Sequence, residues 1–104
     1  MTTNDFQDAT QQSLDVTQLS EGSVVTVSTR NSTYRMTMCD VEHRLASIEG
    51  GALFAEPVVA CIEGTPLENG DVQLGIIQPG MRLEIIADNQ RIVTSPIQSF
   101  DVAA

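Results

Sequence analysis

The stretch RLEIIADNQRIVTS, residues 82–95, decides the fold. It consists of two short runs rich in Ile, Val and Leu, which are separated by Asp88-Asn89. Asp and Asn are turn residues because their side chains bond nearby backbone groups and because they tolerate positive φ. A two-residue loop at this point predicts an antiparallel hairpin with a defined register: Ile86 opposite Arg91, Ile85 opposite Ile92, and Glu84 opposite Val93.

The two faces of this hairpin differ in polarity, because side chains alternate along a strand. One face holds Leu83, Ile85 and Ile92, and the other holds Glu84 and Arg91, which are close enough to pair. A slip by one residue would put Leu83 and Ile85 in water and bury Glu84. We therefore predict that the apolar face is buried and that Glu84 and Arg91 are exposed.

Outward from the hairpin, the chain from residue 19 onward repeats the same pattern of short β-rich runs between turn residues. Regular spacing of this kind is typical of an all-β sandwich or barrel, and no long stretch shows the 3.6-residue period of a helix. We predict an all-β fold, a small closed or partly open barrel or sandwich of six to eight short, mainly antiparallel strands. The other predicted strands are Ser23–Thr29, Tyr34–Cys39, Arg44–Ile48, Val58–Glu63, Val72–Ile77 and Ile97–Val102.

The chain divides into two parts by composition. Residues 1–18 are rich in Thr, Gln, Asp and Ser, which predicts a flexible polar N-terminal arm. Within it, a helical turn around residues 13–19 would let Leu14 and Leu19 touch the domain. Residues 19–104 then form a single β-barrel domain, as expected for a chain of 104 residues.

The charge balance excludes two classes of partner. Fourteen acidic residues face five arginines and no lysine, and the net charge is −9. Nucleic-acid binders and proteins that dock on anionic membranes need clustered positive charge, so we expect neither partner. The acidity suits solubility or a basic protein partner.

The N-terminus carries neither the basic nor the apolar region of a signal peptide, so we expect a cytoplasmic protein. No apolar run approaches the roughly 20 residues of a membrane helix. In that compartment Cys39 and Cys61 are expected to be reduced thiols in strands.

The segment TRNSTY, residues 29–34, is the first candidate binding segment. Its simplest interpretation is a polar hairpin turn followed by a strand whose Tyr, Met and Met residues face the core or a partner. A sharper hypothesis joins it to Thr94-Ser95-Pro96 in a polar pocket for a small anion. The residues of that pocket would be Arg30, Asn31, Ser32, Tyr34, Thr94 and Ser95.

Catalytic and metal-binding patterns are weak in this chain. His43 is the only histidine, and Cys39 precedes it by four residues, but structural zinc sites use two such pairs. The sequence has no nucleophile elbow, phosphate loop, dinucleotide fingerprint or metalloprotease helix motif. We therefore expect no metal site, no cofactor and no enzymatic activity.

Five short elements rich in turn residues stand out between residues 19 and 102. They are Leu19-x-x-Gly22, Thr29-x-Asn31-Ser32-x-Tyr34, Gly50-Gly51-x-x-Phe54-x-x-Pro57, Gly75-Ile76-Ile77-x-x-Gly80 and Thr94-Ser95-Pro96-Ile97. In combination they resemble a set of short, uncharacterised bacterial all-β proteins. The likeness spans most of residues 19–102 and implies a bacterial cytoplasmic protein, without an activity or a site. It also implies that Asn31, Ser32, Tyr34 and the segment Thr94 to Pro96 matter together, for the fold or for a ligand.

Two functions from different classes remain open at the level of sequence. The first is a non-enzymatic protein-interaction or accessory module, including one that forms a homo-oligomer. The alternative is a barrel that binds a small ligand or anion near Arg30–Tyr34 and Thr94–Pro96, with weak hydrolytic chemistry as a variant.

Overall fold

The computed structural model describes residues 12–103, and these residues form an all-β fold. Seven antiparallel strands make one sheet that curls into an open half-barrel, and a small second sheet accompanies it. The predicted fold class is thereby confirmed. The strands are β1 Leu14–Asp15, β2 Val24–Thr29, β3 Thr33–Asp40, β4 Leu45–Gly50, β5 Phe54–Pro66, β6 Val72–Leu74, β7 Ile76–Ile77, β8 Glu84–Ala87, β9 Gln90–Val93 and β10 Ile97–Ala103.

The order of strands in the main sheet is β9-β8-β5-β4-β3-β2-β10. In addition, β6 pairs with the end of β5, and β1 pairs with β7 to form the small sheet. Neighbours along the main path are antiparallel, so its two end strands, β9 and β10, run in the same direction. Only residues 94–96 separate them in sequence. The segment from Gln90 to Ala103 is thus one bent strand that leaves one end of the sheet and joins the other.

This bend explains why the sheet must curl. Four Cα steps lead from Val93 to Ile97, and they span at most about 15 Å. At the bend, Gly80 N–H donates to the Ile97 oxygen at 2.7 Å, and Ile97 N–H donates to the Met81 oxygen at 2.8 Å. Ile97 is also the register partner of Thr29 in β2. The two ends of the sheet therefore meet at Ile97, while the half-barrel stays open elsewhere.

The core fills the concave side of the sheet through strict alternation along the central strands. In β2, Val25 and Val27 are buried and their neighbours are half-buried, because successive side chains point to opposite faces. β3 contributes Tyr34, Met36 and Met38 in the same manner. The remaining large core residues come from five other strands and two connecting segments: Val16, Ile48, Phe54, Ile62, Ile77, Leu83, Ile85 and Ile97.

The folded part of the chain begins earlier than the predicted boundary at residue 18. Leu14 and Asp15 pair with Ile77 and Ile76, and a 3₁₀ turn follows over Val16–Gln18. Asp15 caps this turn by accepting a hydrogen bond from Thr17 N–H at 2.9 Å. Val16 is fully buried. The rest of the predicted flexible arm, residues 1–11, lies outside the described residues.

The hairpin of residues 82–95 has the predicted register, with Arg91 opposite Ile86, Ile92 opposite Ile85 and Val93 opposite Glu84. Asp88 and Asn89 both have positive φ, as a tight turn requires. Leu83 and Ile85 are fully buried, Ile92 is half-buried and Arg91 is exposed.

The predicted exposure of Glu84 is wrong, because only 8% of its side chain is exposed. Glu84 has Val93 of β9 on one side and Gly64 of β5 on the other. Glu84 is thus flanked on both sides within the sheet, and Pro66, Leu67 and Glu68 line a cavity together with Arg91 and Val93. A two-stranded pattern in the sequence does not reveal these neighbours.

Candidate functional site

The segment TRNSTY contains a tight turn, as its simplest interpretation predicted. Thr29 N–H donates to the Ser32 oxygen at 2.8 Å, and Ser32 N–H donates to the Thr29 hydroxyl at 3.2 Å. These bonds use the polar groups of Thr29 and Ser32 within the turn. Arg30 and Asn31 lie at its tip and are exposed. Within residues 12–103 neither of their side chains has a hydrogen bond or an ion pair.

Tyr34 belongs to the core. It is buried, and its ring packs edge-on against that of Phe54, with 6.2 Å between the ring centroids and 73° between the planes. Its neighbours along the same face, Met36 and Met38, are also buried. The Tyr-Met-Met row therefore contributes its packing to the concave side of the sheet.

Thr94 holds the end of the β8–β9 hairpin together. Its hydroxyl accepts a hydrogen bond from Leu83 N–H at 3.1 Å and donates one to the Ser95 oxygen at 2.7 Å. Its own N–H donates to the Leu83 oxygen at 2.9 Å. A buried hydroxyl that bonds two backbone groups is a structural part of the hairpin.

The two segments joined by the sharper hypothesis end next to each other. Thr29 and Ile97 are register partners across β2 and β10, so the turn at Arg30 lies beside the bend at Pro96. Of the residues in the two segments, however, only Pro96 lines a described cavity. A ligand-binding role for Arg30, Asn31, Ser32, Tyr34, Thr94 and Ser95 stays a prediction.

The cavity beside Pro96 holds about 580 Å³ and is called here the arginine cleft. Its charged lining residues are Glu68, Arg82 and Arg91. Most of its other walls are apolar, formed by Pro66, Leu67, Met81, Val93 and Pro96.

Arg82 is not among the predicted ligand-binding residues, although the predicted register of the hairpin places it near Thr94 and Ser95. Extending the hairpin beyond Leu83 puts Arg82 beside the segment that begins at Thr94. In the structure Arg82 Nη1 donates to the Thr94 oxygen at 3.1 Å. Arg91 lies on the neighbouring strand with Nη2 at 2.9 Å from Glu84 Oε1. This contact is an ion pair without hydrogen-bond geometry, since Glu84 Oε1 accepts no hydrogen bond within the described chain.

A second cavity, of about 450 Å³, lies between β5 and the β8–β9 turn. Leu53 is 64% exposed, Val59 63% and Val58 41%, and together with Ile92 these side chains form what we call the apolar mouth. The other lining residues are Phe54, Ala87, Asp88 and Gln90.

The apolar mouth exists because β8 is much shorter than β5. In chain order, β5 begins to pair with β8 only at Ala60, which is opposite Ala87. Its pairing with β4 begins earlier, at Phe54. Residues 54–59 therefore have a neighbouring strand on one side only, within the described part of the chain. Their side chains lack the cover that a longer β8 would give.

His43 and Asp40 form an exposed pair in the turn between β3 and β4, with 2.9 Å between His43 Nδ1 and Asp40 Oδ2. Their hydrogen bond raises the pKa of His43 and lowers the pKa of Asp40. Burial, and then the adjacent Glu63, raise the pKa of the Cys61 thiol. A thiol shifted in this direction is a poor nucleophile near neutral pH. No group of three or more His, Cys, Asp or Glu residues in positions 12–103 is arranged to hold a metal ion.

Comparison of the chain with known protein families, with curated proteins and with solved structures finds no match. Among the residues that the structure describes, no helix is long and apolar enough to cross a membrane.

Proposed function

We propose that this protein is a non-enzymatic protein-binding module whose apolar mouth receives an apolar side chain from a basic segment of a partner protein. The observation that carries the proposal is the exposure of Leu53 and Val59, each close to two-thirds, at the edge of one cavity. Single exposed apolar residues are ordinary, but a group of them around a concavity is typical of interaction sites.

The size of the mouth suits an anchoring side chain. A volume of about 450 Å³ exceeds that of any one side chain, so one aromatic or branched residue and part of its backbone fit. Buried aromatic and aliphatic anchors supply most of the binding energy in many interfaces. Each fully buried aliphatic side chain contributes about 1.5–3 kcal/mol from removal of its surface from water.

Charge favours a basic partner over a second copy of this chain. Asp88 lines the mouth, and no lysine or arginine does so. Glu56 lies on β5 between Phe54 and Val58 and is exposed. With a net charge of −9, two copies repel each other, whereas a segment with lysine or arginine beside its anchor is attracted.

The partner is expected to bind through side chains and not by adding a strand to β5. Between Phe54 and Val58 the register of β5 with β4 shifts, so this part of the β5 edge is not a regular ladder. Pro57 lies in this stretch and has no N–H to donate. Pro57 thus interrupts the row of donors that a new strand would need.

The test is a selection of displayed peptides on the wild-type protein, followed by affinity measurements on two variants. We expect enriched peptides to combine an aromatic or aliphatic anchor with adjacent lysine or arginine, and to bind more weakly as salt rises. Leu53→Asp should weaken binding about tenfold or more, as expected for loss of an anchor contact. Leu74→Asp is the matched control, since Leu74 is 58% exposed but lies outside the mouth.

Two results would contradict the proposal. Enriched peptides without positive charge would show that the partner is not selected by charge. Equal weakening of binding by both leucine variants would show that the peptides do not bind at the apolar mouth. Light scattering on the free protein tests whether a second copy of the chain occupies the mouth instead. A dimer that Leu53→Asp dissociates and Leu74→Asp does not would assign the mouth to a second copy.

A further inference from the structure

We propose that the arginine cleft binds a small organic molecule with one carboxylate and an apolar body. This site is separate from the apolar mouth and shares none of its lining residues. The inference therefore does not depend on the function proposed above.

The dimensions and walls of the cleft suit a ligand of this kind. Its volume of about 580 Å³ lies in the middle of the range of roughly 300–1,000 Å³ found for small-molecule sites. Such sites combine apolar walls with a few convergent polar groups. Here the apolar walls come from three separate parts of the chain: Pro66-Leu67, Met81, and Val93 with Pro96.

Arg82 is the group that would bind the carboxylate. Its only hydrogen bond within residues 12–103 goes from Nη1 to the carbonyl oxygen of Thr94, and no carboxylate of that part of the chain is within ion-pair distance of it. A guanidinium has five N–H donors, so most of them stay available. Their planar fork matches the two oxygens of a carboxylate.

The carbonyl group that accepts the hydrogen bond of Arg82 belongs to a well-bonded segment of the chain. Thr94, which carries this carbonyl group, is itself held by Leu83 on the opposite strand. The bend at Pro96 is held by the hydrogen bonds between Ile97 and the segment Gly80-Met81. A donor on such a rigid support binds with less loss of conformational entropy than one on a free loop.

Arg91 forms the other positively charged wall, and buried Glu84 keeps it there. The Arg91 side chain remains 62% exposed while Nη2 contacts Glu84, and Arg91 lines the cleft. Glu84 and Glu68 together match the formal charge of Arg82 and Arg91, so the cleft has no excess positive charge. This balance disfavours a phosphate-rich nucleotide, whereas Arg82, which has no carboxylate partner within residues 12–103, can bind a single carboxylate.

The experiment titrates the full chain with hexanoate and phenylacetate, and with hexanamide and phenylacetamide as uncharged matches, while amide NMR signals are recorded. We expect the acids to shift the signals of Arg82, Arg91 and Met81. The amides should bind about tenfold or more weakly, because a hydrogen bond to a charged group contributes about 1.5–3 kcal/mol. Arg82→Gln should weaken binding of the acids to the level of the amides.

Arg35→Gln is the matched control variant, since Arg35 is an exposed arginine that pairs with Glu49 on a different part of the sheet. It should bind the acids as the wild type does. Absence of acid binding, equal binding of acids and amides, or unchanged acid binding by Arg82→Gln would each overturn the proposal. A circular-dichroism melt of Arg82→Gln that matches the wild type excludes unfolding as the cause of its loss.

Discussion

At the scale of single residues, the pair of Glu84 and Arg91 is asymmetric. The carboxylate is almost fully buried and the guanidinium is mostly in water. Removing the exposed partner leaves a buried charged acceptor without its cation, whereas removing the buried partner leaves an arginine that water can solvate. The cost of breaking this pair therefore depends on which side chain is replaced.

Arg91→Gln should lower the free energy of unfolding by about 1–3 kcal/mol, because the buried Glu84 carboxylate then loses the cation that compensates its charge. Glu84→Gln should cost less, and the double variant should recover most of the loss in Arg91→Gln. Urea unfolding followed by circular dichroism measures all three. Arg35→Gln is the control, because its exposed pair with Glu49 contributes only about 0–1 kcal/mol. Equal costs for the two single variants would show that Glu84 is solvated.

The burial of Glu84 is a feature of this pair that could not be predicted from the sequence. The alternation of Leu83, Glu84 and Ile85 was sufficient to predict which face meets the core, because period-two patterning reports one buried face. It carries no information about neighbours outside the hairpin. Gly64 of β5, the register partner of Glu84, lies twenty residues earlier in the chain and does not belong to the hairpin.

At the scale of elements, β5 is central because it pairs with three other strands. Over its 13 residues it pairs first with β4, then with β8 and finally with β6. Gly64 is the point of change, since it is opposite both Leu74 of β6 and Glu84 of β8. Its φ of 133° suits glycine, and a Cβ at this position would clash with the backbone oxygen of Gln73.

Gly64→Ala should therefore destabilise the protein much more than Gly70→Ala. Gly70 also has positive φ, but a Cβ there meets nothing within 4 Å. Its substitution should cost only the backbone strain, about 1–2 kcal/mol. At Gly64 the same strain is joined by a backbone clash that only a shift of β6 relieves. Thermal unfolding of both variants measures the difference, and similar midpoints would mean that the close approach of β5 and β6 at Gly64 does not require glycine.

The bounds of some strands could be predicted from the sequence and those of others could not. Strands β2, β3, β4 and β10 appear close to their predicted bounds, because turn residues flank each apolar run. β5 is longer than its predicted span of Val58–Glu63, because neither Pro57 nor Gly64 ends it. Pro57 is tolerated because it lies where β5 has no β8 neighbour and where its register with β4 shifts. Which strands pair with β5 around Pro57 and Gly64 cannot be predicted from any short stretch of the sequence.

At the scale of the whole molecule, electrostatic repulsion opposes folding. The chain carries a net charge of −9, and its radius of gyration is 13.5 Å. In low salt the Debye length exceeds this radius, so every acidic group feels the others. Of the five arginines, three form ion pairs within the described chain, and these cancel little of the excess.

We therefore expect salt to stabilise the protein at pH 7. Raising sodium chloride from about 10 mM to about 150 mM shortens the Debye length from about 30 Å to about 8 Å. The thermal midpoint should rise with this change, because screening weakens repulsion more in the compact state than in the expanded one. A differential scanning series in sodium chloride measures it. A midpoint that falls with salt would show that the ion pairs outweigh the net charge.

Both cavities are lined by residues that are far apart in the sequence and that only the complete fold brings together. The arginine cleft joins Pro66 and Pro96, which are thirty residues apart, and the apolar mouth joins Val59 and Ile92. From sequence, the bend at Thr94–Pro96 could be identified as a place of interest through its turn residues. Its neighbours could not be identified, since they depend on the curl of the sheet.

The bent strand that joins the two ends of the sheet also sets the order of events during synthesis. Strands β2 to β5 pair with their neighbours in sequence and can form as soon as they leave the ribosome. β10, which pairs with β2, emerges last among the described strands. At roughly 5–20 residues per second, β2 waits for several seconds with one edge open. During this time the open edge of β2 can pair with other chains, and the exposure ends when β10 pairs with it.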